Sequence, residues 1–181
     1  MLMSSTRVFS GRVINLDQDV VRFPDGSEGS LDMIRHPGAA AVIPMLDRVT
    51  DPDPRIVLIH QFRHAADGPI WEIPAGTLGP GEAPESCAHR ELAEEAGYHA
   101  GSLEFLTDIF TAPGFTDEKI RLYLATDLTP GPAAPEHDEF ISIHEFRWSA
   151  IGRMIRRREI RDGKTLTALL FVQSFLRGPN R

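Results

Sequence analysis

Residues 76–98 read GTLGPGEAPESCAHRELAEEAGY, and this stretch decides the fold. Five residues separate Gly76 from Glu82 and seven separate Glu82 from Arg90; Glu91, Glu94, Glu95 and Gly97 follow directly. Pro84 suits the first position of a helix, because its fixed φ is already helical and its missing N–H is not needed there. Helix-forming residues follow it, and Gly97 supplies the stop. On such a helix Glu91, Glu94 and Glu95 share one face, where like charges cost roughly 0.2–0.5 kcal/mol per pair. A local rule broken in this way marks a functional site. A divalent cation would turn the repulsion into attraction, and Mg²⁺ is a hard cation bound through carboxylates, water and phosphates. Arg90 precedes the acidic face and can hold a neighbouring carboxylate in place, Glu82 or Glu94. An isolated E-x-x-E-E would read as a solvated face. Gly76, Arg90 and Gly97 have no reason to stand in register with a merely solvated helix.

These residues occupy every fixed position of the signature box of the Nudix hydrolases, which the chain therefore resembles. That family cleaves nucleoside diphosphates linked to another group. The likeness extends beyond the box, from about Arg35 to Phe175. WEIPAG (71–76), QFR (61–63), Pro113 sixteen positions after Gly97, DEFISIHEFRW (138–148) and REIRDGKTLTALL (158–170) are similar to the ADP-ribose pyrophosphatase branch. The resemblance implies an α/β (α+β) Nudix fold, with a mixed β-sheet sandwiched between helices. It implies hydrolysis of ADP-ribose to AMP and ribose 5-phosphate. The nearest rivals are another nucleoside diphosphate sugar, GDP-mannose or ADP-glucose, and a ligand sensor without catalysis. A sensor would be expected to have lost box glutamates, and none is missing here.

Hydrolysis of a diphosphate needs charge neutralised on its oxygens and a water placed in line, which two or three Mg²⁺ or Mn²⁺ ions can supply. Glu91 and Glu95, one turn apart, are the first-choice ligands, with Glu94 next. The resemblance adds the carbonyl of Ala75, and Gly76 after it would let the backbone approach closely. It also puts the general base on a late loop, where Glu139 fits the pattern best. Glu136 and His137 are alternatives for the proton, and Asp138 is a further acid of that loop. Arg63 can pair with a phosphate in fork geometry, or stand as a surface arginine at a strand end. Glu72 is a candidate for a ribose or adenine donor and Glu118 for the terminal ribose. Arg35 resembles a substrate residue supplied from a partner subunit. Trp71 can stack on adenine or belong to the core.

Residues 6–35 read as an antiparallel β-meander, with RVINLDQDVVRF, the turn PDGSEG and SLDMIR. By resemblance, residues 1–37 are an appendage exchanged within a homodimer, and 38–181 form the Nudix domain. Further strands are expected at 39–46, 55–62, 70–76, 103–110, 119–128 and 140–148, with helices near 149–158 and 163–176. A net charge of −7 argues against nucleic-acid binding. The five arginines of RMIRRREIR (153–161) read as a solvated face. Cys87, the lone cysteine, excludes an internal disulfide and is expected in the core. The longest apolar run, 39–46, is far short of the ~20 residues a membrane span needs. No apolar segment of signal-peptide type opens the chain, so a cytoplasmic location is expected.

Overall fold

The computed structural model describes residues 1–12, 14–135, 137 and 139–178. In chain order come β1 (Leu2–Ser10), β2 (Asn15–Arg22), β3 (Glu28–Arg35), β4 (Ala39–Pro44), β5 (Arg55–Arg63), β6 (Gly68–Glu72) and β7 (Ala75–Thr77). Helix α1 (Pro84–Ala96), β8 (Tyr98–Phe110), β9 (Lys119–Pro130) and β10 (Ile141–Arg147) follow, and α2 (Trp148–Arg156) and α3 (Gly163–Phe171) close the chain. The strands form three sheets, ordered β1-β2-β3, β7-β4-β9-β8 and β10-β5-β6. The four-stranded sheet is mixed, since β4 runs parallel to β9 and antiparallel to β7.

Strand β4 explains the layering. All six of its residues are buried, as a strand covered on both faces requires. Side chains alternate across a strand. Ala40 and Val42 join the cluster of Cys87, Ala88, Leu92 and Ala96 on α1. Ala39, Ala41 and Ile43 join Ile151, Met154, Ala168 and Leu169 of α2 and α3. The mixed sheet is thus sandwiched between helices, as expected from the resemblance.

Helix α1 begins at Pro84 and is closed by Gly97, whose φ of +70° is left-handed and whose N–H reaches the carbonyls of Ala93 and Leu92. A β-carbon there would also lie 2.9 Å from the Gly131 carbonyl oxygen. The chain enters β8 at once.

Four boundaries differ from expectation, the first being β8, which opens at Tyr98 and not at 103. The segment 70–76 is not one strand: it leaves the β10-β5-β6 sheet after Glu72 and joins the mixed sheet at Ala75. Pro74 has no N–H for a ladder, and its carbonyl accepts from Val42 N–H at 2.9 Å. The Ile73 N–H instead donates to the Thr165 hydroxyl of α3 at 2.9 Å. The meander starts earlier than expected, because Leu2–Ser10 already pairs with β2. The last helix widens into a π turn over Val172–Leu176.

The three-stranded meander is joined to the rest at the end of β3. Ile34 forms a parallel bridge with Thr116, and its N–H donates to the Phe115 carbonyl at 2.8 Å. The His36 N–H donates to Asp117 Oδ1 at 2.8 Å. Among the described residues no helix is long and apolar enough to cross a membrane.

Candidate active site

A cleft of about 640 Å³ opens between the second half of α1 and the loop before it, β7, the segments before β9 and β10, and the N-terminus of α3. Glu82, Arg90, Glu91 and Glu94 line one side of it, and Arg63, Glu118, Glu139 and Lys164 complete it.

Arg90 organises the acidic side. Its Nε and Nη2 donate to the two oxygens of Glu82 at 2.9 and 3.0 Å. Nη1 donates to Glu91 Oε1 at 2.5 Å and to Glu94 Oε2 at 3.1 Å. It therefore holds three carboxylates, where the sequence named only Glu82 or Glu94. Charge-assisted fork pairs of this kind are strong and directional. The Glu82 carboxyl is held down at about 2, first by Arg90 and then by the Gly79 N–H. Cys87 lies beneath, fully buried, and burial pushes its thiol up to about 12, so it is packing rather than a nucleophile.

Glu95 turns the other way, inward. It is 1 % exposed, and its Oε2 accepts from the Ala75 N–H at 2.8 Å. Its Oε1 is buried with no partner among the described residues. Burial pushes its carboxyl up to about 8, and burial also raises Glu91 despite the neighbouring Arg90. Glu139 lines the same cleft, and its negative charge adds to the upward push on both Glu91 and Glu95. Gly76 makes the arrangement possible: a β-carbon there would lie 1.7 Å from Glu91 Oε1.

Among the described residues, no three acidic, histidine or cysteine side chains converge tightly enough to cage an ion unaided. Arg90 takes up two of the carboxylates. The donor set nevertheless fits a hard divalent cation. A buried carboxylate oxygen lacks any partner, the glycine leaves room beside Glu91, and every donor is oxygen, with water and phosphate left to complete the shell.

The opposite wall is cationic. Arg63 Nε and Nη2 donate to Glu72 at 3.1 and 2.7 Å, and Lys164 Nζ lies 3.1 Å from Glu72 Oε2 and 3.1 Å from Asp162 Oδ2. Glu72, the candidate for a ribose or adenine donor, is 2 % exposed, has both oxygens paired with these cations and is not among the residues lining the cleft. Glu118 does line the cleft, with Thr111 Oγ1 donating to its Oε2 at 2.8 Å and His36 Nε2 3.6 Å from its Oε1.

Arg35 lies outside the lining of its own chain's cleft. It is bonded to Asp17, Asp19 and Asp117, so its charge is matched within its own subunit. Glu136 and Asp138 fall outside the described residues; His137 is exposed. Trp71 stacks on His60, with ring centroids 4.3 Å apart, and meets His144 and Phe146 edge-on. It packs against the core and does not line the cleft. The five arginines of 153–161 are all exposed. Sequence reasoning missed Lys164. Its signal was present, since Lys119 and Lys164 are the chain's only lysines and the second opens a helix.

Comparison with known proteins agrees with this geometry. The NUDIX domain model matches residues 35–169. The chain is 38 % identical to a methanol dehydrogenase activator of Bacillus methanolicus, over 94 % of this chain and 91 % of that one. It is 36 % identical to an ADP-ribose pyrophosphatase of Bacillus subtilis, with the same coverage of 94 % and 91 %. Among solved structures it superposes on an ADP compounds hydrolase with a TM-score of 0.81 at 20 % identity, covering 97 % of this chain and 93 % of that one.

Proposed function

Since the chain belongs to the Nudix hydrolase family, we propose that it cleaves the diphosphate of ADP-ribose with a divalent cation, releasing AMP and ribose 5-phosphate. The observation that carries this reading is the cleft itself. Box carboxylates and a late-loop glutamate share it with two cations suited to phosphate. The 36 % identical Bacillus subtilis relative supports ADP-ribose as the substrate. The Bacillus methanolicus relative is named for an effect on another enzyme; the intact acidic cluster of this chain points to bond cleavage.

Glu91, Glu94, Glu95 and the Ala75 carbonyl would hold Mg²⁺ or Mn²⁺. The chemistry supplied there would be neutralisation of the diphosphate oxygens and a lowered pKa for the attacking water. The residues themselves do the rest. Arg90 keeps Glu82, Glu91 and Glu94 oriented. Arg63, its plane fixed by Glu72, meets a phosphate already aligned, which spares ordering cost. Glu139 accepts the proton of the water as the new P–O bond forms and the bridging P–O bond breaks; Glu136 is the alternative acceptor. Glu118 receives ribose hydroxyls.

The test is kcat/KM for ADP-ribose, ADP-glucose, GDP-mannose and diadenosine polyphosphates, with and without chelator, in wild type and Glu139→Gln. ADP-ribose should lead, chelation should abolish turnover, and Glu139→Gln should lose about 10²–10⁴-fold. A lead for GDP-mannose or ADP-glucose would move the substrate, and no turnover of any would point to a ligand sensor.

The active form proposed here is a homodimer in the reducing cytoplasm, built through the N-terminal meander. Strand β1 is exposed along its whole length, and Leu2, Val8, Phe9, Val20, Phe23 and Leu31 are exposed large apolar side chains, the kind of patch that marks an interface. The in-trans role for Arg35 requires it to exchange its own aspartates for the partner's substrate. Removing residues 1–34 should yield a monomer with turnover lowered by about 10²-fold, the scale of a misplaced site. A fully active monomer would exclude the dimer.

A further inference from the structure

The geometry points to Lys164 as a phosphate contact of the cleft: we propose that its ammonium grips the substrate's diphosphate beside Arg63. This rests on the reading of the cleft as a diphosphate hydrolase.

Three observations carry it. First, Lys164 lines the cleft although its side chain is only 11 % exposed. Its long stem is thus held in place, at a cost in rotamer freedom that a surface lysine avoids. Second, it sits in the first turn of α3, one residue after Gly163. A cation there faces the positive end of the helix dipole and is locally unfavourable. Third, its two fixed partners have other partners already. Glu72 receives two N–H groups from Arg63. Asp162 caps α3, accepting from the Thr165 N–H at 2.9 Å and the Thr165 hydroxyl at 2.7 Å. Both carboxylates would therefore keep hydrogen-bond partners without Lys164. An ammonium has three N–H donors. The ion pairs with Glu72 and Asp162 hold the ammonium at the cleft wall, where it can also meet a phosphate oxygen. The geometry resembles a point charge tethered by two struts, with Arg63 alongside, its fork anchored on Glu72.

The test compares wild type with Lys164→Met, which keeps most of the stem, and Lys164→Arg, which keeps the charge. With ADP-ribose, Lys164→Met should raise KM by about 10- to 100-fold, the loss of one charge-assisted hydrogen bond, with a smaller change in kcat. Lys164→Arg should recover part of it. Inhibition by inorganic pyrophosphate should weaken by the same factor as KM rises, while inhibition by adenosine stays within about twofold. Because Lys119 is the only other lysine, lysine-selective acetylation read by mass spectrometry has an internal reference. Pyrophosphate should protect Lys164 and leave Lys119 unchanged, a result that a purely structural lysine would not give. A wild-type enzyme that hydrolyses ADP-ribose, with Lys164→Met matching it in KM and pyrophosphate inhibition, would overturn this assignment alone. A wild-type protein that cleaves no nucleoside diphosphate would instead overturn the reading of the cleft.

Discussion

Glu95→Gln is expected to reduce turnover by about 10²–10³-fold, the scale of losing one preorganised electrostatic element, without unfolding the protein. The carboxylate is 1 % exposed, with one oxygen on the Ala75 N–H and the other without a partner among the described residues. Glutamine keeps the acceptor for Ala75 and removes a charge that burial disfavours, so the metal-free variant should melt no lower than wild type. The two proteins should separate when cation is added. At about 100 times Kd a ligand stabilises by about 2.7 kcal/mol, which for a chain of this size is roughly 5–10 °C. Wild type should show that rise with Mg²⁺ or Mn²⁺, and Glu95→Gln should show less than half of it. Calorimetry and turnover on the same samples check both, and wild-type turnover in the variant would remove Glu95 from the cation site.

Gly76→Ala should be nearly as damaging through a single methyl group. The new β-carbon would fall 1.7 Å from Glu91 Oε1, an impossible contact, so either the carboxylate rotates away or β7 shifts. Glu91 is only 7 % exposed and is held by Arg90, and β7 is paired with β4 at this residue, so neither movement is free. Displacing a cation-holding carboxylate in this way should raise the Mg²⁺ concentration for half-maximal activity by about 10–100-fold, as for lost supporting contacts in metal sites. Gly152→Ala in α2, where the added carbon meets nothing closer than 3.8 Å, is the matched control and should leave activity unchanged. Unaltered Mg²⁺ dependence in Gly76→Ala would mean that Glu91 is not positioned as described.

What was legible in the sequence was local or periodic. Pro84 and Gly97 bracket α1 because backbone preference acts within a few residues. The unbroken apolar run at 39–46 announced a buried strand, which the fold ends at Pro44. The acidic face of α1 and its arginine were readable because their spacing conflicts with helix stability. The break at Ile73–Pro74 was less visible, since what separates β6 from β7 is a hydroxyl from Thr165, remote in sequence. The same holds for Glu72 and Lys164, whose 92-residue separation (164 − 72) is closed only by the docking of α3. Asp17 and Asp19 stand inside the segment read as meander, and pairing them with Arg35 needs the register of β2 on β3. Periodicity says which face a residue occupies, and partner identity belongs to the tertiary fold.

The contact of Ile34, Arg35 and His36 with Phe115, Asp117 and Glu118 ties the meander to a wall of the cleft. It works as a lever: a tilt of the meander would be felt first at Glu118, before any residue of α1 moves. With Glu118 receiving ribose hydroxyls as proposed, substitutions on the outer strand would have a route to selectivity among sugars. Discrimination could drift in evolution through the packing of β1 while the acidic helix stays unchanged.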